Sequence, residues 1–528
     1  MNSTQLNSTQ LNSTQSNLTK FFIAIVFLVT SCSEENFNED VLNINRQEEM
    51  VSVKDGRLVF SNTTMLKEKI EELKGKSRKD ASEDVSKFVN KGFSPLRVLF
   101  DNNISTDDIG SSSRTQFAND YTGATIEEDF DDFEETIGDD EFATLVNNSG
   151  EIQVADTIYK YTPVGLYYTH ESTIQKLYDY LDTQSIDNIK LVPANYANSS
   201  SDLSGLCIVE KNDPYIKQIE PDIKYFAVES CSNVTYTSDL PADINSGSQT
   251  TSGTFDVDAF INSLPECNSR SSLVGRIFGK SISCTSKFDD THRIKTKFWD
   301  QDYKIYQSIG VAVKHQTKKV WIWWTTDTDE LRLGINNAYF EYNLPSPNAV
   351  LENAALTLYV HNQKLYTSKG IFIKNVLGDP LFSDFPFDSS LSVIIDLRSL
   401  GFGQLNFTGD DFNKEPQKQI WNQAKAFLKN LNGQDAKELT IMGYLPQKVI
   451  VSHINKTREG INLKKIKKVF DHQYKFSFGF GDNSSGQWKI KPFNKVPTDF
   501  RDYSNVHIDI YGIGRRGNEW KGSRLIFD

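Results

Sequence analysis

Long apolar runs are scarce in this 528-residue chain, and so are the residues that most often carry chemistry. Its longest such run is the nonapeptide FFIAIVFLV at 21–29. Nine helical residues span about 14 Å, whereas a bilayer core needs about 20 residues, so this run is too short to be a membrane span. There are five cysteines and four methionines. Seven histidines, at 170, 292, 315, 361, 453, 472 and 507, never pair at metal-ligand spacing. No H-E-x-x-H or G-x-S-x-G occurs, so zincin and nucleophile-elbow chemistry have no sequence basis. No C-x-x-C occurs either, which argues against a Cys₄ zinc site. GIGRRG at 512–517 fits G-x-G-x-x-G, but a dinucleotide site needs a helix and a further strand after it. Only eleven residues follow, and they read as a turn and a closing strand. No catalytic residue, cofactor or metal is therefore expected. A glycosidase-type carboxylate pair leaves no trace in spacing, since the fold sets its separation of roughly 5–10 Å.

What the chain does have is charge, aromatics and a marked front end. Residues 1–300 hold 27 Lys+Arg against 47 Asp+Glu, and residues 301–528 hold 30 against 23. An acidic front and a basic back predict different surroundings for the two parts. The anionic partner of the back could be lipopolysaccharide, acidic glycan or extracellular DNA; a solvated face is the simpler reading. Phe, Tyr and Trp make up 12% of residues, enough for a sizeable β-rich core.

The run at 21–29 has one cation before it, Lys20, and ends in Val29-Thr30-Ser31-Cys32. This is the layout of a signal-peptide h-region. Small residues and then cysteine resemble the lipobox of bacterial lipoproteins. That resemblance implies diacylglycerol on Cys32, cleavage before it and acylation of the new amine, giving stable anchorage through several acyl chains. Ser33-Glu34-Glu35 resembles the acidic tether that sends Bacteroidetes-type lipoproteins to the outer face of the outer membrane. Upstream, NSTQL, NSTQL and NSTQS repeat at 2–16 without the cations of an n-region. Either translation starts further downstream or a short DNA repeat has slipped, and neither changes the mature chain.

The expected organisation is a signal peptide at 1–31, an acidic tether at 32–50, and an α+β domain at 51–244. A Ser/Thr/Gly linker at 245–254 then leads to a β-rich, sandwich- or barrel-like part at 255–528. VSVKDGRLVF (51–60) reads as a hairpin about Asp-Gly. A helix follows Thr63 or Thr64, with Leu66, Ile70 and Leu73 on one face. EEDFDDFEETIGDDE (127–141) holds ten carboxylates without EF-hand spacing and reads as a solvated loop or helix start that turns Phe130, Phe133 and Phe142 inward. EIQVADTIYKYTPVGLYYTH (151–170) reads as a strand pair broken at Pro163–Gly165, before a helix with Ile174, Leu177, Tyr178 and Leu181. This stretch, from EFATLVNNSG onward, resembles a segment of flavobacterial surface lipoproteins over about residues 51–180. It implies no activity and no site residue. From 293 onward β-patterned stretches dominate, interrupted by one helix with Ile420, Ala424, Phe427, Leu428 and Leu431 in a stripe.

After Cys32, four cysteines lie within 78 residues: Cys207, Cys231, Cys267 and Cys284. An even count in an exported chain predicts two disulfides with three possible connectivities, neighbour pairing being simplest; four reduced thiols are the alternative. Asp156-Thr157-Ile158 fits the bacterial O-glycosylation pattern, which makes Thr157 a candidate. Two features suit binding. In VWIWWT, Trp321 and Trp323 share one strand face and could stack on sugar rings, or be buried. In NLKKIKKVF, Lys464, Lys465, Lys467 and Lys468, with Arg515-Arg516 later, could grip phosphates or uronates, or guard a strand edge. Asp289-Asp290-Thr291-His292 holds acid and base types together, but reads as a polar loop beside Cys284. The overall expectation is a lipid-anchored outer-membrane protein facing the exterior. It binds glycan, lipopolysaccharide, another anionic polymer or an envelope protein, and no specific nucleic acid. The alternatives are an extracellular polymer hydrolase and a scaffold subunit of an outer-membrane complex.

Overall fold

The computed structural model describes residues 51–76, 78–96, 137–162, 165–183, 215–228, 249–250, 256–267, 277–319, 322–343, 357–376, 391–401, 412, 415–470 and 505–527. The chain divides into two compact units, Met1–Ser52 and Val53–Asp528, and the architecture lies in the second. The described part is mostly β. No described helix is long and apolar enough to cross a membrane. Cys32, Cys207, Cys231 and Trp321 lie outside the described residues.

The chain enters as a hairpin, β1 (Val51–Lys54) and β2 (Arg57–Phe60), turning at Asp55 (φ 50°) and Gly56 (φ 74°). Two successive positive φ values are what a two-residue hairpin turn needs, and Asp-Gly accepts them most readily. Helix α1 (Thr63–Gly75) starts one residue earlier than expected from its threonines. Asn62 caps it, its Oδ1 accepting the Met65 N–H at 3.0 Å. Leu66, Ile70 and Leu73 are buried as their spacing predicts. Helix α2 (Arg78–Val89) and the short α3 (Asp140–Leu145) follow.

Residues 151–170 make three strands where a pair was expected: β3 (Glu151–Val154), β4 (Thr157–Thr162) and β5 (Gly165–His170). The extra turn is Ala155-Asp156, with Ala155 at φ 54°, a left-handed turn at a residue that does not announce one. Helix α4 (Ile174–Thr183) buries Leu177 and Leu181 and lies against β5. Strands β6 (Tyr215–Glu220) and β7 (Ile223–Ala227) complete a seven-stranded sheet in the order β1-β2-β3-β4-β5-β7-β6.

Next come β8 (Gln249–Thr250), helix α5 (Val257–Asn262), β9 (Glu266–Cys267), β10 (Gly279–Asp289), β11 (His292–Asp302), β12 (Gln307–Lys319), β13 (Ile322–Thr325) and β14 (Thr328–Asn343). They are followed by β15 (Thr357–His361), β16 (Lys364–Thr367), β17 (Phe372–Asn375), β18 (Leu391–Asp396), helix α6 (Glu415–Asn432) and β19 (Leu439–Leu445). The last are β20 (Lys448–Leu463), β21 (Lys465–Phe470), β22 (Asn505–Arg516) and β23 (Glu519–Phe527). Among the described residues these make two sheets. One has the order β10-β11-β12-β13, with β21 also paired to β12; the other runs β17-β16-β15-β18-β19-β20-β14-β22-β23-β8, with β9 on β23. Thus β8, within the segment read as a linker, pairs Gln249 with Trp520.

The two sheets face each other as a sandwich. Ile294, Phe298, Ile309, Val311 and Val313 of one meet Leu331, Leu333, Phe340, Ile508 and Ile510 of the other in a single buried cluster. GIGRRG lies in this contact. A Cβ on Gly512 would stand 2.8 Å from Val313, and one on Gly514 would collide with Ile294, so these glycines let β22 approach the opposite sheet. Gly517, at φ 61°, makes the turn into β23. The outer side of the larger sheet takes α6, which connects the parallel pair β18 and β19. Ile420, Ala424, Phe427 and Leu428 are buried there, with Leu431 partly so, and Phe427 stacks on Tyr359 at 3.9 Å.

Candidate functional site

Strand alternation decides what the five-stranded sheet shows on its second face. Ile309, Val311 and Val313 of β12 point into the sandwich, so Gly310, Ala312, Lys314, Gln316 and Lys318 belong to the outer face. β11 lies along one side of β12; β21 and β13 lie end to end along the other. The register sets Lys295, Lys314 and Lys465 directly abreast on three strands, with Lys297, Ala312 and Lys467 in the next row. Arg293, Gln316 and Thr325 form a further row. Like charges directly opposite one another destabilise a sheet, so this face demands anions.

The chain's own acidic block supplies some of them. Asp140 forms an ion pair with Lys465, and Glu141 with Lys467; both carboxylates are buried. Asp139 caps α3, its Oδ1 accepting the Phe142 N–H at 3.0 Å, while Oδ2 accepts from Ser308 at 2.6 Å and Tyr306 at 3.0 Å. Gly138 donates its N–H to Gln301 Oε1 at 2.6 Å and to Tyr303 at 2.9 Å. Phe142 is fully buried, stacked on Tyr303 at 4.8 Å, as the inward placement of that phenylalanine requires. Phe130 and Phe133 lie outside the described residues. Burial raises the Asp139 pKa, but the charges of Lys74 and Lys467 and the Ser308 and Phe142 hydrogen bonds outweigh it and bring it to about 2. Of the expected loop or helix start, residues 139–141 form the helix start, but buried instead of solvated, as a clamp on the basic half.

The four lysines of NLKKIKKVF do not act as one cluster. Lys465 and Lys467 point to the outer face. Lys468, opposite Val311, lies on the inner side, where its charge adds to burial in driving the His453 pKa down to about 3 and that of Lys456 to about 6. Lys464 sits at the bend between β20 and β21, its carbonyl accepting the His315 N–H at 3.0 Å. Arg515 pairs with Asp329 and Glu330, and Arg516 with Asp289.

Trp323 stands at the end of the outer face, half-buried, opposite Lys318. The Arg293 guanidinium lies 4.0 Å from its ring centre and the Lys318 ammonium 5.9 Å. Arg293 is itself held by Gln316, whose Oε1 accepts from Nε at 2.9 Å. The indole thus forms one part of a cation–aromatic corner. Thr157 opens β4, its hydroxyl donating to Asp156 at 3.2 Å. Cys267 and Cys284 form a disulfide joining β9 to β10, one of the two neighbour pairings.

Asp289-Asp290-Thr291-His292, read from sequence as a polar loop, forms the hairpin turn between β10 and β11. Asp289 Oδ1 lies 3.0 Å from His292 Nδ1, and His292 Nε2 lies 3.2 Å from the Thr317 hydroxyl. Asp289 also accepts from Thr291 at 2.7 Å and from Arg516 at 2.6 Å. Its modest burial raises its pKa, but the Thr291 and His292 hydrogen bonds hold it below the carboxylate range. His315 lies beside His292, ring centres 5.9 Å apart. Its Nδ1 faces the Thr326 and Asp327 carbonyls at 3.2 and 3.0 Å, so that nitrogen donates and Nε2 keeps its lone pair. Nε2 is buried without a hydrogen-bond partner among the described residues. Burial lowers the His315 pKa and keeps the ring neutral. Only Asp289, Thr291 and His292 are near in sequence. Thr317 arrives through strand register, which no local spacing reveals. Among the described residues no three His, Cys, Asp or Glu side chains form a group that could hold a metal ion.

No protein-family model and no curated protein matches this chain.

Proposed function

We propose that the chain is a lipid-anchored protein of the outer membrane, held through Cys32 and facing the exterior, that binds an anionic glycan or polymer without transforming it. A smaller α+β part, residues 51–244, precedes the β-rich part that carries the binding face. The supporting observation is the outer face of the five-stranded sheet. It sets cations abreast on three strands, with Lys295, Lys297 and Lys314 buried and Lys465 and Lys467 paired with chain carboxylates at its middle. At its end Trp323 and Lys318 are partly exposed, with the buried Arg293 behind the indole. An indole flanked by two cations suits a sugar ring bearing a carboxylate.

The test is binding of polygalacturonate to the full chain and to a variant with Trp323→Ala and Lys318→Ala. The reading expects saturable, salt-sensitive binding that this variant loses. Equal binding by both proteins would overturn the assignment to this face. Surface exposure is tested separately, by digesting intact cells with an external protease beside a Cys32→Ala control.

A hydrolytic reading has one observation in its favour, the carboxylate–imidazole–hydroxyl line of Asp289, His292 and Thr317, which has the order of an acid–base–nucleophile relay. It expects cleavage of a bound polymer that Thr317→Ala abolishes; intact polymer after incubation rejects it.

A further inference from the structure

The edge of the larger sheet carries a second surface with distinct chemistry. β16 and β17 form a hairpin there, and β17 pairs with no other described strand. Six large hydrophobic side chains are exposed among the described residues, and three are consecutive at this hairpin: Ile371 (61%), Phe372 (51%) and Ile373 (45%). The connecting turn is well braced. Gly370, at φ 80°, donates to the Thr367 carbonyl at 3.0 Å, Ile371 donates to the Thr367 hydroxyl at 3.2 Å, and Thr367 donates back to the Ile371 carbonyl at 2.9 Å. The three side chains are therefore held outward by a bonded turn.

Charge is as uneven as hydrophobicity. Residues 357–376 contain Lys364, Lys369 and Lys374 and no Asp or Glu, in a chain of net charge −13. Lys364 and Lys369 are exposed. We propose that this hairpin dips Ile371, Phe372 and Ile373 into the interface of an anionic lipid surface, with its lysines at the headgroups. Successive strand residues point to opposite faces, and here both faces are open. A strand added at the edge would satisfy backbone groups and leave these side chains wet, and a flat protein partner would cover one face only. A lipid interface covers both, and at headgroup depth the outer backbone edge stays hydrated. Cationic flanks favour anionic lipid.

The test compares full-length chains that all carry Cys32→Ala, so that acylation is absent and the apolar residues 21–29 contribute equally to each. Vesicles of phosphatidylglycerol with phosphatidylethanolamine are set against vesicles of phosphatidylcholine. Joint Ile371→Ser, Phe372→Ser and Ile373→Ser should lower partition onto the anionic vesicles about tenfold. Lys364→Gln with Lys369→Gln should erase the preference for anionic over neutral vesicles. Ile461→Ser, at an isolated side chain 69% exposed, should change neither. Phe372→Trp leaves the hairpin intact. Its emission should shift to the blue on anionic vesicles and be quenched by bromine placed in the acyl chains. Unchanged partition in the triple variant, or unshifted emission from that tryptophan, overturns the proposal. So does self-association in lipid-free solution that the triple variant abolishes, which would assign the hairpin to a second copy of the chain.

Discussion

The Ser308 hydroxyl donates to Asp139 Oδ2 at 2.6 Å, across 169 residues of chain. This bond and the ammonium groups of Lys74 and Lys467 hold Asp139 ionised in a fully buried site. A carboxylate whose folded pKa lies below its unfolded value near 3.9 stabilises the fold above that pH. The contribution is lost as pH falls through about 2. It amounts to about 3 kcal/mol at roughly 1.4 kcal/mol per pKa unit. Thermal melts from pH 5 to pH 2 should show this loss, and Asp139→Asn should flatten the pH dependence while lowering stability at pH 5.

The Asp140–Lys465 pair is buried on both sides, so removing one charge leaves the other buried without its ion-pair partner in this contact. Asp140→Asn should cost about 3–5 kcal/mol in denaturant unfolding, and Asp140→Asn with Lys465→Met much less. If the double substitution costs as much as the single, the pair is not what holds this segment down.

Gly334 on β14 lies opposite Tyr511 on β22, whose ring lies over the glycine. A Cβ at 334 would fall within the ring. Gly334→Ala should destabilise by about 1–3 kcal/mol through overpacking, and pairing it with Tyr511→Ala should remove that component. Urea unfolding of the two singles and the double measures the coupling.

The disulfide between Cys267 and Cys284 closes a 17-residue separation. A loop of that size contributes about 3 kcal/mol in the chain-entropy account. Cys267→Ala with Cys284→Ala should lower the unfolding free energy by about that amount, and added reductant should then have no further effect through this bond.

Periodicity made much of the fold legible. The stripe of α6, the hairpin at Asp55-Gly56 and the strand series of the β-rich part all follow from local pattern, because each buries a face that its own spacing defines. Ala155-Asp156 was hidden because nothing in an alanine signals a left-handed turn. The candidate site was half-legible. KKIKK and the acidic block stand out, but that residues 139–141 would reach Lys465 and Lys467 depends on which strand neighbours β12. Thr317 meets His292 by register alone.

β14 lies between β20 and β22, and the first sheet of the sandwich receives β21 as a partner of β12. A chain made amino end first therefore presents its central strand long before either neighbour exists. The smaller sheet is complete once β21 is made, whereas the larger one waits for β22 and β23. Such an order of arrival defers cooperative closure of the larger sheet to late in synthesis, with contacts of high sequence separation setting the pace. Loss of β22 and β23 would leave β14 with a bare flank and remove Ile508 and Ile510 from the sandwich core.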